Sequence, residues 1–374
     1  MSIARFMRGE SPVIPLIKTR MPEPQRLMPV LEQVLYSGYV AQGEKVELFE
    51  RSFESFVGAG HSLSVNSGTA ALHVALILAG VKPGSEVIST ALTAEPTNVA
   101  IKMAGARIRY ADIDRQTLNI NPASIRQNIS DATSAIMVVD YAGVPVDIEG
   151  IQEISRNSGL PVIHDAAHSL GSRYRGRRAG CHFPLTAFSF QAIKHVTTVD
   201  GGILQVADKS EYDRGKLIRW FGIDRTRTRL ENNIQLQGYK YHMNNVNAAI
   251  GIVQLQDAEW IIDRHIDNGQ YFDRALCGVP GVQVLNYYDG SEPSYWLYSV
   301  LVDDRDGLER KLAEHGISSS VLHRRNDLHD YLNDFRQELP VLDDVYPRLL
   351  HLPCGWWVGA KERDQIVDVI RSGW

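Results

Sequence analysis

The sequence predicts an α/β protein in which a large domain, a mostly parallel seven-stranded sheet between helices, precedes a smaller C-terminal α+β domain. Between residues 63 and 206, short apolar runs alternate with helical stretches, a pattern typical of a parallel sheet wrapped by helices. The runs are rich in Val, Ile and Leu rather than strictly alternating, as expected for strands buried on both faces. After the turn signals CGVPGV at 277–282 the pattern changes, which indicates the second domain.

The elements follow in chain order from local signals. Helices are predicted within 23–57, broken at the loop YVAQG, because Gly38 and Gly58 close two helical patterns. Apolar residues at helical spacing predict one long helix over 245–276, which bridges to strand-like YWLYSVLV and to helical DGLERKLAEHG and ERDQIVDVIRSG. We expect a large domain over residues 1–255 and a small domain over 256–374. The seven strands are predicted at 63–65, 86–90, 106–113, 135–141, 161–167, 185–190 and 202–206.

Composition narrows the class of protein. Lys and Arg number 39 against 44 Asp and Glu, and this net charge of −5 argues against a broad nucleic-acid-binding face. The three cysteines, Cys181, Cys277 and Cys354, form no CxxC pair, so we expect no metal site and a reducing compartment. The opening MSIARFMRGESPVIPL lacks the apolar core of a signal peptide, and no run approaches the ~18 apolar residues of a membrane span. We therefore expect a soluble, cytoplasmic protein with neither membrane nor nucleic-acid partners.

The segment SFQAIKHVTTVDGG, residues 189–202, places Lys194 in a loop just after a short strand. An isolated lysine is usually solvated, but desolvation beside a cofactor lowers the pKa of a lysine and lets it form a Schiff base. Ser189 is a candidate to donate a hydrogen bond to a phosphate. We expect Gly201 and Gly202 to let the backbone turn sharply under a flat ring. Lys194 is therefore the candidate for covalent attachment of a cofactor.

The segment PVIHDAAHSLG, residues 161–171, ends an apolar strand on Asp165. A carboxylate at this position must be paired or pay for its loss of water. Asp165 either caps the segment that follows or pairs with a protonated pyridine nitrogen, which keeps a cofactor ring an electron sink. His168 either reaches the phenolic oxygen of that ring or is a structural histidine.

A third segment, SVNSGTAALHVAL, runs from a short strand into a helix that is predicted to begin near Thr69. Helix N-termini bind phosphate through free N–H groups and the helix dipole, and Gly68 allows close backbone approach. Alone this signal is weak, because a capped helix without a ligand is common. Together the three segments supply a phosphate anchor, a charge partner and a covalent attachment, whereas the dinucleotide and P-loop glycine motifs are absent from the sequence. This combination predicts pyridoxal 5′-phosphate (PLP) as the cofactor.

The chain resembles the DegT/StrS group of PLP-dependent sugar-nucleotide aminotransferases, which has the aspartate-aminotransferase fold (fold type I). The resemblance implies a homodimer with active sites at the interface. It also implies that Lys194 holds the cofactor and Asp165 pairs with the pyridine nitrogen, with Gly68, Thr69 and Ser189 around the phosphate. It spans nearly the whole chain and is carried by SGYVAQGEKVELFERSFESFVG, NSGTAAL, DYAGVPVDI, HDAAHSLG, SFQAIKHVTTVDGG and GYKYHMNNVNAAIGIVQL.

Three positions depart from the pattern of this group. Ala94 stands where an aromatic residue usually stacks on the cofactor ring. Lys240, in GYKYHM, stands where an asparagine often reaches the phosphate of the partner subunit, a role that a lysine can fill as a point charge. Asp140 replaces a frequent histidine. These departures leave the predicted fold unchanged and bear on the contacts to cofactor and substrate.

The resemblance implies transamination of a nucleotide-linked keto sugar with glutamate as the amino donor, and TTVDGG favours a 4-keto-6-deoxyhexose. Within HRRND, residues 323–327, His323 and Arg324 are candidates to contact the nucleotide diphosphate. Two alternatives stay open: a PLP-dependent sugar-nucleotide dehydratase, whose known members carry histidine in place of the lysine, and a non-catalytic regulatory protein on the same fold. Lys194 argues against the first, and the intact lysine, acid and phosphate cup argue against the second.

Overall fold

The computed structural model describes residues 14–335 and 337–374. Seven strands form the main sheet in the order β1-β9-β8-β5-β4-β2-β3. Each of the seven predicted runs overlaps one of these strands, which confirms the predicted sheet. In chain order the strands are β1 (His61–Val65), β2 (Glu86–Thr90), β3 (Arg107–Ala111), β4 (Thr133–Val139), β5 (Val162–Asp165), β6 (Arg173–Tyr174), β7 (Arg177–Arg178), β8 (Leu185–Ser189), β9 (Gly202–Val206), β10 (Val282–Val284), β11 (Ser291–Glu292), β12 (Tyr298–Val302) and β13 (Leu349–Leu352).

The direction of the strands decides where a site can form. Parallel pairing links β8, β5, β4, β2 and β3, whereas β9 is antiparallel to both β8 and β1. In such sheets ligands bind beyond the carboxyl ends of the parallel strands. Because β9 runs in the opposite direction, its first residue lies at that same edge, and Gly202 pairs with Ser189, the last residue of β8.

Helices cover the sheet as the alternating pattern predicted. The two helices expected within 23–57 are present, and the second ends at Gly58 with a left-handed φ of 86°. In chain order the helices are α1 (Pro24–Leu35), α2 (Glu44–Val57), α3 (Gly68–Leu78), α4 (Glu95–Met103), α5 (Pro122–Asn128), α6 (Ile148–Ser158), α7 (Lys209–Ile218), α8 (Asn245–Leu255), α9 (Ala258–Leu276), α10 (Arg305–Glu314), α11 (Pro340–Val345) and α12 (Ala360–Arg371).

The prediction of one long helix over 245–276 was wrong, because the chain breaks between α8 and α9 at residues 256–257. The N–H of Asp257 bonds to the carbonyl of Gln254, three residues back, instead of continuing the α-helical ladder. The carboxylate of Asp257 is held by Arg20 and Arg26, each with an N···O distance of 2.9 Å. The apolar spacing continues across this break, so the sequence pattern alone reads as one helix.

A second, antiparallel sheet in the order β10-β12-β13 lies in the C-terminal part of the chain. It packs with α9, α10 and α12 around a core that includes Phe272, Tyr298 and Leu312. The expected small α+β unit is therefore present as an element of the fold. The boundary between residues 255 and 256 stays a prediction.

Aromatic packing supports the strand that leads to the lysine loop. Phe53 of α2 contacts Phe188 and Phe190 edge-on, with ring centroids 5.1 and 5.5 Å apart. Phe49 lies against Gly251 of α8, where an added Cβ would stand 2.5 Å from the ring. Edge-to-face aromatic pairs contribute roughly 0.5–1.5 kcal/mol beyond the burial of their area, so this cluster holds the end of β8 firmly.

A buried ion pair joins α2 to the end of α7. Glu50 Oε1 accepts hydrogen bonds from Arg219 Nη1 at 2.6 Å and from the N–H of Ser64 at 2.9 Å. Both charged side chains are at most 8% exposed. Removing one partner of such a pair leaves the other charge buried without compensation.

We expect Glu50→Gln to lower the free energy of unfolding by about 3 kcal/mol or more, because the guanidinium loses its counter-charge. Urea unfolding followed by circular dichroism measures the change. The matched control is Lys209→Ala, which breaks the Lys209–Asp213 pair between side chains 59% and 47% exposed; its cost should stay below about 1 kcal/mol. Equal losses in the two variants would contradict the importance of the buried pair.

Candidate active site

The cavity at the carboxyl edge of the main sheet brings the three predicted segments together. It has a volume of about 360 Å³, within the range of small-molecule sites. The segments after β2, β5 and β8 and the N-terminus of α3 all contribute to its lining. Lys194 and Asp165 line this same cavity, so the amine and the carboxylate face one space. Within the described ranges, no cluster of residues could hold a metal ion.

Asp165 is the last residue of β5 and is only 4% exposed. Thr97 of α4 donates a hydrogen bond to Oδ2 at 2.7 Å, and the N–H of Ala167 donates to Oδ1 at 3.0 Å. Burial raises the pKa of this carboxyl group, while these hydrogen bonds and the charge of Lys194 oppose the rise. Each carboxylate oxygen has a second lone pair, so Asp165 keeps the capacity to accept a further hydrogen bond from a ligand.

Lys194 lies in the loop between β8 and β9 and is partly buried. Burial lowers the pKa of its ammonium group to about 7, although the charge of Asp165 favours the protonated form. Its Nζ stands 4.0 Å from the centroid of the Trp296 ring. A lysine with such a pKa has a substantial neutral fraction near pH 7, which is the form that reacts as a nucleophile or a base.

The N-terminus of α3 forms another wall of the cavity. Ser67 caps the helix, and its Oγ accepts a hydrogen bond from the N–H of Ala70 at 3.1 Å. Gly68 packs against Ser189 so closely that an added Cβ would stand 2.9 Å from the Ser189 Cβ. Gly68, Thr69 and Ser189 all line the cavity. The helix terminus and the hydroxyls therefore form the kind of cradle that binds phosphate.

The expected role of Gly201 and Gly202 in a sharp turn was wrong, because neither residue has a positive φ. The left-handed residue of this loop is Val199, with a φ of 73°. Glycine is required for close packing instead. A Cβ on Gly202 would stand 2.5 Å from the carbonyl oxygen of Ser67, and one on Gly201 would stand 2.2 Å from Thr198 Oγ1.

His168 also lines the cavity and stacks on Trp296, with ring centroids 4.0 Å apart and an interplanar angle of 23°. The N–H of Ala142 donates to its Nδ1 at 3.3 Å. Burial, together with the nearby charge of Lys194, holds the pKa of the imidazole well below its usual value. His168 is therefore neutral near pH 7.

Of the remaining predicted residues, two line the cavity and two lie outside it. His323 lines the cavity, and its Nδ1 lies 3.7 Å from Glu95 Oε2. Ala94 also lines it, as the residue before α4. Arg324 is exposed and does not line this cavity. Lys240 is likewise exposed and outside the cavity of its own subunit.

Two residues of the site were not found from the sequence. Thr97 contacts Asp165 from a segment in which the sequence indicates only the position of a missing stacking aromatic, and Trp296 lies in a run that is typical of an ordinary strand. The run YWLYSVLV carries no signal for Trp296, whereas a hydroxyl in the first turn of the helix after β2 is the one feature that could have indicated Thr97. Asp140 forms a buried pair with His164 at 2.8 Å instead of lining the cavity.

The residues of this cavity fit PLP. A buried acid, a partly buried lysine of lowered pKa and a glycine-bearing helix N-terminus lie around one space of suitable volume. On this fold, that combination defines a PLP-dependent enzyme of fold type I. Residues 23–371 match the DegT/DnrJ/EryC1/StrS aminotransferase family. The chain belongs to this family and is a PLP-dependent aminotransferase.

Individual relatives agree with this assignment. The spore coat polysaccharide biosynthesis protein SpsC of Bacillus subtilis is 31% identical over 358 residues, which cover 91% of this chain and 92% of SpsC. The crystal structure of the sugar aminotransferase CalS13 from Micromonospora echinospora matches with a TM-score of 0.93 and 38% identity, over 97% of this chain and all of CalS13. AtS13 from Actinomadura melliaura also gives a TM-score of 0.93 and 38% identity, over 98% and 100% of the two chains.

We expect Thr97→Val to lower kcat/KM roughly ten- to hundredfold, because a hydrogen bond to a charged group is lost. Without this donor the pKa of Asp165 rises, and the carboxylate becomes protonated at a higher pH. The acidic limb of the pH–rate profile should therefore move to higher pH. Thr97→Ser keeps the hydroxyl and should restore the wild-type profile. An unchanged profile in Thr97→Val would contradict the coupling between these two residues.

We expect Gly202→Ala to weaken PLP binding by about tenfold, because the new methyl group must displace the Ser67 carbonyl at the start of α3. Titration of the apoprotein with PLP, followed by the absorbance of the bound cofactor, measures the affinity. Thermal unfolding of the apoprotein separates a local effect from general destabilisation. Wild-type affinity would show that the helix terminus does not depend on this contact.

Proposed function

We propose that the protein transfers the amino group of glutamate to a nucleotide-linked keto sugar, with Lys194 and Asp165 as its catalytic residues. Bound PLP supplies a carbonyl carbon that accepts the amino group and a ring that withdraws electrons from it. The single observation that carries the proposal is the convergence of Lys194 and Asp165 on one cavity.

Lys194 is proposed to hold the cofactor covalently and then to act as the base. Its pKa of about 7, set mainly by burial, leaves the amine able to take a proton from the α-carbon of the amino donor. The same Nζ would be placed to deliver that proton to the former carbonyl carbon of the cofactor. A lysine of ordinary pKa would be protonated almost completely at neutral pH and would be a poor base.

Asp165 is proposed to pair with the pyridine nitrogen and keep it protonated. Thr97 and Ala167 hold both oxygens of the carboxylate, so its orientation at the end of β5 is fixed. Gly68, Thr69 and Ser189 are proposed to bind the phosphate, and His168 to lie beside the ring. Because Nδ1 accepts the hydrogen bond from Ala142, a neutral His168 carries its proton on Nε2 and can donate one hydrogen bond to the phenolic oxygen without adding a charge.

A sugar substrate is supported by the proteins that the chain resembles. CalS13 is a sugar aminotransferase, and SpsC is named for polysaccharide biosynthesis. The resemblance of TTVDGG favours a 4-keto-6-deoxyhexose. The proposed contact between His323 and the nucleotide is supported by the position of His323 in the cavity wall. Arg324 is exposed outside this wall, so it would contact the nucleotide only where the substrate or the partner subunit extends to it. A cytoplasmic enzyme that uses nucleotide sugars is consistent with this assignment.

A homodimer with shared active sites is supported by the charges of the cavity. The described residues that line it include no arginine, and Lys194 is their only lysine. A phosphate dianion therefore gains only the helix terminus and neutral hydroxyls from one subunit. Lys240, exposed on its own subunit, is proposed to supply the missing positive charge to the site of the partner.

We expect the purified holoprotein to lose its PLP absorbance with glutamate and to regain it with a nucleotide-linked 4-keto sugar. Lys194→Ala should lower turnover by roughly 10²–10⁴-fold or more, because the base is lost, and Asp165→Asn should lower it strongly. Lys209→Ala, an exposed lysine, serves as the control. Borohydride reduction followed by peptide mass spectrometry identifies the lysine that carries PLP. Reduction onto another lysine, or full activity in Lys194→Ala, would refute the proposed role.

The same assay separates the two alternatives. A dehydratase would consume the nucleotide sugar without forming an amino sugar, and a regulatory protein would not respond to glutamate. A panel of nucleotide-linked 3-keto and 4-keto sugars, analysed by mass spectrometry, identifies the acceptor. Failure of every keto sugar in the panel would contradict the proposed substrate class.

We expect Lys240→Ala to weaken PLP binding and activity, and mixing it with Lys194→Ala to restore part of the activity. In a mixed dimer, the subunit that keeps Lys194 would receive Lys240 from its partner, so one complete site forms. The measurement is activity after the two variants are unfolded and refolded together, compared with the sum of the variants refolded separately. No gain on mixing would contradict a contribution of Lys240 across the interface.

A further inference from the structure

Trp296 makes three separate contacts with residues that line the catalytic cavity. Its Nε1–H donates a hydrogen bond to the carbonyl of Ile193 at 2.9 Å, one residue before the lysine. The Nζ of Lys194 stands 4.0 Å from the ring centroid. The ring also stacks on His168 with centroids 4.0 Å apart. One side chain, 3% exposed, therefore touches the lysine, the loop that carries it and the neighbouring imidazole.

The backbone next to Trp296 is held in an unusual conformation. Tyr295 has a φ of 47°, a left-handed value that is costly for a bulky residue. Its hydroxyl donates to Asp273 Oδ2 at 2.7 Å, and its ring fits against Gly269, where an added Cβ would stand 2.3 Å away. The carbonyl of Ser294 bonds to His195 Nε2 at 3.1 Å. Several contacts thus fix a strained segment, a condition found at functional sites.

We propose that Trp296 is the positioning residue for Lys194, with its indole face holding the free amine in the cavity and its N–H fixing the loop that carries it. The inference rests on the proposed role of Lys194 as the lysine that holds PLP. If Lys194 holds PLP, the amino donor would displace its Nζ, which would then have to stay near the reacting carbon to act as the base. A π face within 6 Å attracts an ammonium group without the fixed direction of a carboxylate, so the amine keeps its mobility.

Ordinary core packing does not account for these contacts. A buried tryptophan satisfies its N–H with any acceptor, yet here the acceptor is in the lysine loop, about 100 residues away in sequence. The aromatic face opposes the effect of burial on the lysine. Desolvation favours the neutral amine, whereas the electron-rich ring favours the ammonium. Trp296 therefore keeps both protonation states of Lys194 accessible, which proton transfer requires.

Other ionisable groups face the same amine and would share in its titration. Asp165 favours the ammonium form of Lys194, and His168 is held neutral. Any change caused by a Trp296 variant must be distinguished from effects on these groups. The remaining ionisable residues that line the spaces around Lys194 are Glu95, Asp200, His323, His195, His265 and Lys18.

The test is the titration of Lys194 in the apoprotein, which does not depend on enzymatic activity. Competitive acetylation across a pH series, with quantification of the Lys194 peptide by mass spectrometry, gives the pKa of its amine. We compare the wild type with Trp296→Phe and Trp296→Leu. The control is Trp356→Phe. Trp356 lines the space behind Lys194, but the ammonium group over its ring is that of Lys18, whose Nζ lies 5.2 Å from the ring centroid.

The pKa of Lys194 should fall by about one unit in Trp296→Leu and by less in Trp296→Phe, because the ring face is lost in the first and weakened in the second. Trp356→Phe should leave it unchanged. The two Trp296 variants should also lower kcat more than they raise KM, since the amine is misplaced after substrate binds. Near-ultraviolet circular dichroism confirms folding; if Trp296→Leu does not fold, Trp296→Met replaces it as the variant that lacks an aromatic face.

Three results would overturn the proposal. The first is an unchanged Lys194 pKa in both folded Trp296 variants, and the second is an equal shift in Trp356→Phe. The third is the same shift in the Phe and Leu variants, which would assign the effect to the lost hydrogen bond alone. Failure of the proposed function is a separate outcome, because borohydride reduction would then attach PLP to a lysine other than Lys194.

Discussion

The site depends on one constraint, which is that an amine and a carboxylate are both largely desolvated in the same cavity. Each charge alone would be costly to bury. Together, Lys194 and Asp165 stabilise each other partly, and burial still moves the pKa of each towards its neutral form. The result is a lysine that can exchange a proton near neutral pH and a carboxylate whose ionisation needs further support.

The surrounding structure supplies that support through neutral groups. Thr97 and the backbone of Ala167 hold the carboxylate, while Trp296 and the stacked His168 lie around the amine. Among the described residues, no other charged side chain forms a hydrogen bond with Lys194 or Asp165. A set of neutral dipoles and ring faces can tune both ionisations without locking the pair into a salt bridge, which would remove the lysine as a base.

The fold and the main chemical groups could be predicted from sequence because their signals are local. Seven apolar runs marked the seven strands, and Lys194, Asp165 and Gly68 stood in short segments with a recognisable chemistry. Thr97 lies 68 residues from Asp165 along the chain, and Trp296 about 100 residues from the lysine loop. Their roles come from tertiary packing that no local pattern records. The break after α8 and the packing role of Gly202 were missed for the same reason.

The antiparallel course of β9 sets the geometry of the lysine loop. Because Ser189 and Gly202 are paired across adjacent strands, both ends of the loop are tied to one edge of the sheet, about 5 Å apart. If β9 were parallel to β8, the chain would first have to cross back to the other edge of the sheet, which takes a dozen or more residues. Both ends of the loop are therefore fixed in space, and the number of residues between them sets how far Lys194 can extend. Inserting or deleting a residue within it would change the reach of the amine, even where the new residue touched nothing else.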